Sequence, residues 1–183
     1  GATLAGLKVR GNHIGTNAAG TAAIPNGKGI YLFLPSDVQI GGSSVNEGNL
    51  ISGNNGDGVY AIAVQGLQIQ GNRIGTNAAG TTPVGNTGNG VYSSGSANLV
   101  IGGAGNSRNV ISGNGGRGID MSSTGATVLN NYIGVGMDGS TPLGNGGAGI
   151  YGDSNYPGSI GGGGLGNVIA NNGGDGISLV TTV

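Results

Sequence analysis

Two short motifs alternate along this 183-residue chain, and their spacing leaves few architectures open. Residues 11–21 read GNHIGTNAAGT, residues 71–81 read GNRIGTNAAGT, and a weaker third copy, NNYIGVGMDGS, starts at Asn130. Between them lie NLISGN from Asn49, NVISGN from Asn109 and NVIANN from Asn167, each followed within a few residues by Gly and a branched apolar residue. The period is therefore about sixty residues, made of two half-units of about thirty, as in stacked units that bury their apolar faces against one another.

Aligning the half-units produces columns of like side chains. Ile14, Ile51, Ile74, Ile111, Ile133 and Ile169 form one. Ile30, Val59, Val91, Ile119, Ile150 and Ile177 form a second, and Val9, Ile40, Ile69, Ile101, Val128 and Ile160 a third. Three short β-branched strands per half-unit, separated by Gly and Asn, predict an all-β fold: a single-stranded right-handed parallel β-helix, a three-sheet solenoid of about six coils of roughly 30 residues. Residues 1–183 read as one domain of three repeats, 6–65, 66–124 and 125–183. Composition narrows the choice in the same direction. A chain with 46 Gly is ordinarily collagen or disordered. Here Gly does not recur at every third place, and the regular Ile and Val supply a core that disordered chains lack.

Asparagine recurs in register as well. Asn12, Asn49, Asn72, Asn109, Asn131 and Asn167 form one column; Asn17, Asn54, Asn77, Asn114, Gly136 and Asn172, five residues on, form another. Asn tolerates the left-handed backbone of a tight corner, and its amide can bond the same amide one coil above and below. These columns, with the isoleucines, are expected to be structural ladders. The motifs NxISGN…GI and NxIGTNxxGT resemble the parallel β-helix repeats of large secreted and surface proteins of microbes, within the architecture shared with pectate lyases. The resemblance covers essentially the whole chain. It implies the fold and an extracellular or cell-surface location, but solenoids of this kind serve as lyases, adhesins, spikes and scaffolds, so it leaves the activity open.

The formal net charge of −1 and six scattered basic residues give no reason to expect nucleic acid or an anionic membrane as a partner. No apolar run approaches the ~20 residues of a membrane span, so no membrane insertion is expected. The absence of cysteine removes disulfides, thiolate zinc sites and cysteine nucleophiles. The chain opens Gly-Ala-Thr without a basic or apolar leader, and reads as a processed protein or an excised segment.

The resemblance also implies where chemistry would lie: acids or calcium ligands from adjacent coils on one outer face. Of the seven acids, Asp57 and Asp175 share a column but stand four coils apart. Asp120 and Asp153, on neighbouring coils, are the pair that could approach the ~5 to 9.5 Å needed for glycoside hydrolysis. His13, the single histidine, faces outward with no acid or hydroxyl partner identifiable beside it. Residues 115–120, GGRGID, begin like a calcium-binding nonapeptide, but Ser122 takes the apolar place and no copy follows. Both acids read as solvated surface, and no catalytic group, cofactor or metal is expected.

Immediately after the second apolar column come Tyr31, Tyr60, Tyr92, Asp120, Tyr151 and Ser178, which strand alternation turns outward. Four tyrosines in one row make either an aromatic ladder or a contact strip for another subunit or for sugar rings. Every second coil also carries a longer loop, residues 16–28, 76–89 and 135–148, making a fringe along one edge. Neither end shows an amphipathic helix or a polar closing segment, and open solenoid ends pair with something. The leading expectation is a non-enzymatic extracellular structural solenoid whose copies join head to tail into a filament or surface fibre, with Asp175 of one copy near Lys28 of the next. The alternatives are a carbohydrate-binding or polysaccharide-cleaving β-helix using the tyrosine face, with a polysaccharide partner, and a segment of a longer surface adhesin.

Overall fold

β-branched residues set between glycines produce eighteen short strands in the computed structural model, which describes residues 4–153 and 158–181. The first coil supplies β1 (Lys8–Val9), β2 (His13–Ile14) and β3 (Ile30–Phe33). The second supplies β4 (Gln39–Gly41), β5 (Leu50–Ile51) and β6 (Val59–Ile62), and the third β7 (Gln68–Gln70), β8 (Arg73–Ile74) and β9 (Val91–Ala97). The fourth holds β10 (Val100–Gly102), β11 (Val110–Ile111) and β12 (Ile119–Thr124). The fifth holds β13 (Thr127–Leu129), β14 (Tyr132–Ile133) and β15 (Ile150–Gly152), and the sixth β16 (Ser159–Ile160), β17 (Val168–Ile169) and β18 (Ile177–Leu179). They assemble into three six-stranded parallel sheets: β1-β4-β7-β10-β13-β16 (sheet 1), β2-β5-β8-β11-β14-β17 (sheet 2) and β3-β6-β9-β12-β15-β18 (sheet 3). The chain is a three-sheet parallel β-solenoid of six coils, and the described residues contain no α-helix.

The register pairs Ile14, Ile51, Ile74, Ile111, Ile133 and Ile169 directly across sheet 2. The Ile30–Ile177 and Val9–Ile160 columns pair likewise in sheets 3 and 1. Ile51, Ile74, Ile111 and Ile133 have no solvent exposure. Each such side chain contributes roughly 1.5–3 kcal/mol by leaving water. Val38, Leu67, Leu99 and Ala126, two residues before the sheet 1 column, are also fully enclosed and complete the core.

Both turns flanking sheet 2 carry a buried asparagine ladder. Between sheets 1 and 2, each Nδ2 donates to the next Oδ1: Asn12 to Asn49 (3.0 Å), Asn49 to Asn72 (2.9 Å), Asn72 to Asn109 (3.0 Å), Asn109 to Asn131 (2.9 Å) and Asn131 to Asn167 (3.0 Å). The same Oδ1 also accepts the backbone N–H of the preceding coil's asparagine, and the second amide hydrogen goes to a strand carbonyl, as from Asn109 Nδ2 to Ile69 O (2.8 Å). Every polar atom of a buried amide is thereby used, which is what its burial requires.

The second ladder corrects the expected column. It runs Asn26, Asn54, Asn86, Asn114, Asn145 and Asn172, with Nδ2-to-Oδ1 distances of 2.8 to 3.1 Å. Asn17 and Asn77 are not in it. The long loop leaves the coil before the ladder position and returns to it later, so Asn26, Asn86 and Asn145 supply the amides. Asn17 Oδ1 instead accepts the N–H groups of Thr21 (2.9 Å) and Ala22 (3.3 Å), and Asn77 does the same for Thr81 and Thr82. In the third loop Gly136 stands at that position and Asp138 takes over the role, accepting from Ser140 and Thr141 N–H (2.9 and 2.8 Å).

The alternation of IGTN with ISGN has a steric cause. Gly15, Gly75 and Gly134, where the long loops leave, have φ of 89, 92 and 84°. A Cβ there would lie 2.3, 2.3 and 2.0 Å from the carbonyl oxygens of Ser52, Ser112 and Ala170 on the next coil. Ser52 and Ser112, on the coils with no such loop, use their hydroxyls to accept the N–H of Gly75 (3.0 Å) and Gly134 (2.9 Å).

Ile111→Ala opens a cavity at the centre of the sheet 2 stack and is expected to destabilise by about 2 to 5 kcal/mol. Asn109→Ala leaves ladder partners unmatched and should cost about 1 to 3 kcal/mol. Ala79→Ser, at an exposed loop tip, should stay within about 0.5 kcal/mol of the parent. Urea denaturation of the three variants ranks them, and equal midpoints would refute this inside-to-outside assignment.

Candidate functional site

Two outer faces concentrate the chemically useful side chains. On sheet 3 the register aligns Tyr31, Tyr60, Tyr92, Asp120, Tyr151 and Ser178 in one row. The rings of Tyr31 and Tyr60 stack with centroids 5.6 Å apart and planes 10° apart; those of Tyr60 and Tyr92 stack at 4.9 Å and 13°. Where Asp120 interrupts the row, Arg117 bridges it. Its Nη1 donates to Asp120 Oδ2 (2.7 Å) while the guanidinium lies 3.6 Å above the Tyr151 ring. Lys28 Nζ sits 4.7 Å from the Tyr60 centroid. Tyr60 thus spends both ring faces on its neighbours, Tyr151 gives one to Arg117, and the end ring Tyr31 stays exposed. That stacking stiffens the sheet.

The outward row of sheet 2 is His13, Leu50, Arg73, Val110, Tyr132 and Val168. Loops rise on both sides of it, because the residues between successive sheet 2 strands are unevenly distributed. Successive ladder asparagines are 37, 23, 37, 22 and 36 residues apart. Residues 16–28, 76–89 and 135–148 lengthen one turn, and residues 42–48, 103–108 and 161–166 lengthen the other on alternate coils. The first set forms a tied fringe: Ala78 N–H donates to Gly20 O and Met137 N–H to Gly80 O, both at 2.9 Å. It folds over the sheet and buries the outward Leu50 and Val110.

Between the fringes runs a groove of about 560 Å³ whose lining includes His13, Leu50, Arg73, Arg108, Val110 and Met137. Arg108 is committed. It donates to Tyr132 Oη (2.7 Å) and to Asn130 Oδ1 (2.6 and 3.1 Å), and stacks 4.1 Å above the Tyr132 ring. Arg10, at the adjacent edge, is paired with Glu47 and Gln39. The Arg73 guanidinium has no hydrogen-bond or ion-pair partner among the described residues, and its Nε is enclosed. A guanidinium in that condition suits an incoming oxygen-rich or anionic group. The sequence reading missed this groove, since it exists only once two loop sets on different coils fold toward each other; the uneven motif spacing was its signal.

The acid pair is not a matched one. Asp120 faces Tyr151, and Asp153 lies two residues further on, after Gly152, the partner of Met121. Asp120 is held by Arg117. Asp57 Oδ1 accepts the N–H of Asn89 (2.8 Å), a corner bond, and its column continues through Arg117 and Ala148 to Asp175. His13 is exposed at the first-coil end of the groove. Asp138, on the third loop, accepts the Thr141 and Ser140 N–H groups and the Thr141 hydroxyl, which hold its carboxyl well below the usual carboxylate range. Among the described residues no three His, Asp or Glu side chains gather as metal ligands.

If the tyrosine row works as a ladder, Tyr60→Leu should lower stability by about 0.5 to 1.5 kcal/mol beyond the loss of buried area, because both stacking contacts go together. Calorimetry checks this, with Tyr60→Phe, which keeps the ring, as the reference expected to stay near the parent. In comparisons with protein-family models, with curated proteins and with solved structures, nothing matches this chain.

Proposed function

We propose that this solenoid is a structural rod whose copies stack end to end into a filament, without catalysing a reaction. The observation that carries the reading is the polarity of the asparagine ladders. Each amide donates toward the next coil, so among the described residues Asn12 and Asn26 Oδ1 in the first coil have no donor, and Asn167 and Asn172 in the sixth have no next-coil acceptor of the kind every earlier rung has. Donors at one end match acceptors at the other. The apolar columns are open in the same way. Ile119 and Ile150 are fully buried, whereas Ile177, next in their column, is 45% exposed. At the opposite end an apolar hollow of about 540 Å³ lies among Leu4, Leu7, Leu32 and Pro35. Strand pairing and burial of these open coils supply the drive for association.

Charge favours the same polarity. The corner column Lys28, Asp57, Asn89, Arg117, Ala148, Asp175 is continuous through backbone bonds, and extending it by one coil brings Asp175 of one copy to Lys28 of the next. The resemblance to microbial β-helix proteins supports an extracellular or cell-surface setting; within a longer surface adhesin the same stacking would run along one chain.

Sedimentation velocity over a concentration series, with electron microscopy, tests the filament. Rods of constant width that grow with concentration are expected. Asp175→Lys should weaken association by up to about fivefold, the worth of an exposed pair, and Lys28→Asp in the same chain should restore it. A chain that stays monomeric at every concentration overturns the reading.

The groove favours a second reading, in which the rod also holds an acidic polysaccharide. Retention on an acidic glycan matrix should then fall on Arg73→Ala and persist on Tyr60→Leu. Equal retention of both variants refutes it.

A further inference from the structure

The chain contains six Asn-Gly pairs, at Asn55, Asn26, Asn89, Asn114, Asn145 and Asn172, and this dipeptide is the one most prone to lose its side-chain amide. The reaction needs two freedoms: a side-chain carbonyl carbon able to swing toward the following backbone nitrogen, and an N–H at that nitrogen that is not donating elsewhere. The fold distributes these freedoms unequally. Gly115, Gly146 and Gly173 donate their N–H to the carbonyls of Asn86, Asn114 and Asn145, each at 2.8 Å, and Gly90 donates to Arg117 O at 2.9 Å. The side chains before them are fastened too. Asn114, Asn145 and Asn172 are ladder rungs, and Asn89 Oδ1 accepts the Arg117 N–H at 2.8 Å. Asn26 is intermediate: its Nδ2 holds the Asn54 rung at 3.1 Å, but Gly27 N–H has no partner among the described residues. Asn55 stands apart. It is exposed, and among the described residues neither its side chain nor the Gly56 N–H makes a hydrogen bond.

From this we infer that Asn55 is a built-in deamidation site, one that converts in the folded protein ahead of the other five pairs, four of which the fold fastens. The Gly56 nitrogen, on losing its proton to water or hydroxide, attacks Asn55 Cγ. A C–N bond forms, the Cγ–Nδ2 bond breaks, and ammonia leaves a five-membered imide. Water opens the imide at either carbonyl, giving aspartate or isoaspartate, so the net change is water consumed and ammonia released. The Lys28 stem crosses this corner, where a Cβ on Gly56 would lie 3.3 Å from Lys28 Cγ. The product adds one negative charge to the formal −1, at the corner column that carries Asp57 and Lys28. No ladder rung is lost, so the coil stays closed while its edge changes charge.

The test is incubation of the folded protein at mildly alkaline pH, with peptide mapping by mass spectrometry and enzymatic methyl labelling of isoaspartate, beside the same chain in concentrated urea. Asn55 should convert first and Asn26 second. The four fastened pairs should lag Asn55 by at least about tenfold, since each must first break one or more net-favourable hydrogen bonds. In urea the six rates should converge, because only the fold separates them. Conversion of Asn114 or Asn145 in the folded protein at the Asn55 rate overturns the proposal. So does an Asn55 that remains intact after the unfolded chain has reacted.

Discussion

The buried amide-to-amide hydrogen bond is the contact on which the remaining structure rests. A carboxamide enclosed without partners would cost several kcal/mol, so two columns of them can exist only if each coil sits in one register over its neighbour. That requirement fixes the sheet 2 strands from both sides, since one ladder lies at each flanking turn. A slip of one residue would strand every amide and turn every isoleucine of the stack outward. The ladders therefore do for this solenoid what a large core does for a globular domain: they make one arrangement far better than its neighbours.

With the register held at the turns, the excess residues of each coil can leave without disturbing the stack. They leave at the two turns beside sheet 2, on alternate coils, and at Gly15, Gly75 and Gly134 the next coil's carbonyl stands too close for any side chain. The result is a smooth face at sheet 3 and a walled face at sheet 2. On the smooth face, in-register pairing superposes identical side chains, and tyrosine rings stack because they have no other choice at neighbouring-strand spacing. On the walled face, loops from different coils enclose Leu50 and Val110 and leave Arg73 at the base of a groove. On the proposal made for Asn55, the same bonds that hold the coils also slow the chemistry of Asn114, Asn145 and Asn172, whose amides are rungs and whose following N–H groups are bonded.

Much of this was legible in the amino-acid sequence, for reasons that can be assigned to residues. A period-two strand inside a repeating coil forces each column of Ile and Val to one side, so the core columns and the outward tyrosines could be written down before any coordinates. The asparagine column through Asn109 was equally readable, because its members precede a strand and loops cannot displace them. The column through Asn114 was read half wrongly. Counting five residues from Asn12 reaches Asn17, but the loop between Asn17 and Asn26 is an excursion, and a linear count cannot see where an excursion returns.

What the sequence by itself determined is the repeat: strand identity, inward and outward faces, and the pairing of like with like, all consequences of local periodicity. What only the tertiary structure decided is everything that depends on loops meeting across coils. The Gly20–Ala78 and Gly80–Met137 bonds, the groove around Arg73, the arrest of Asn114 and Asn145, and the freedom of Asn55 all fall in this class. These join residues some thirty to sixty apart whose approach is set by how a flexible excursion packs, and no local preference encodes that.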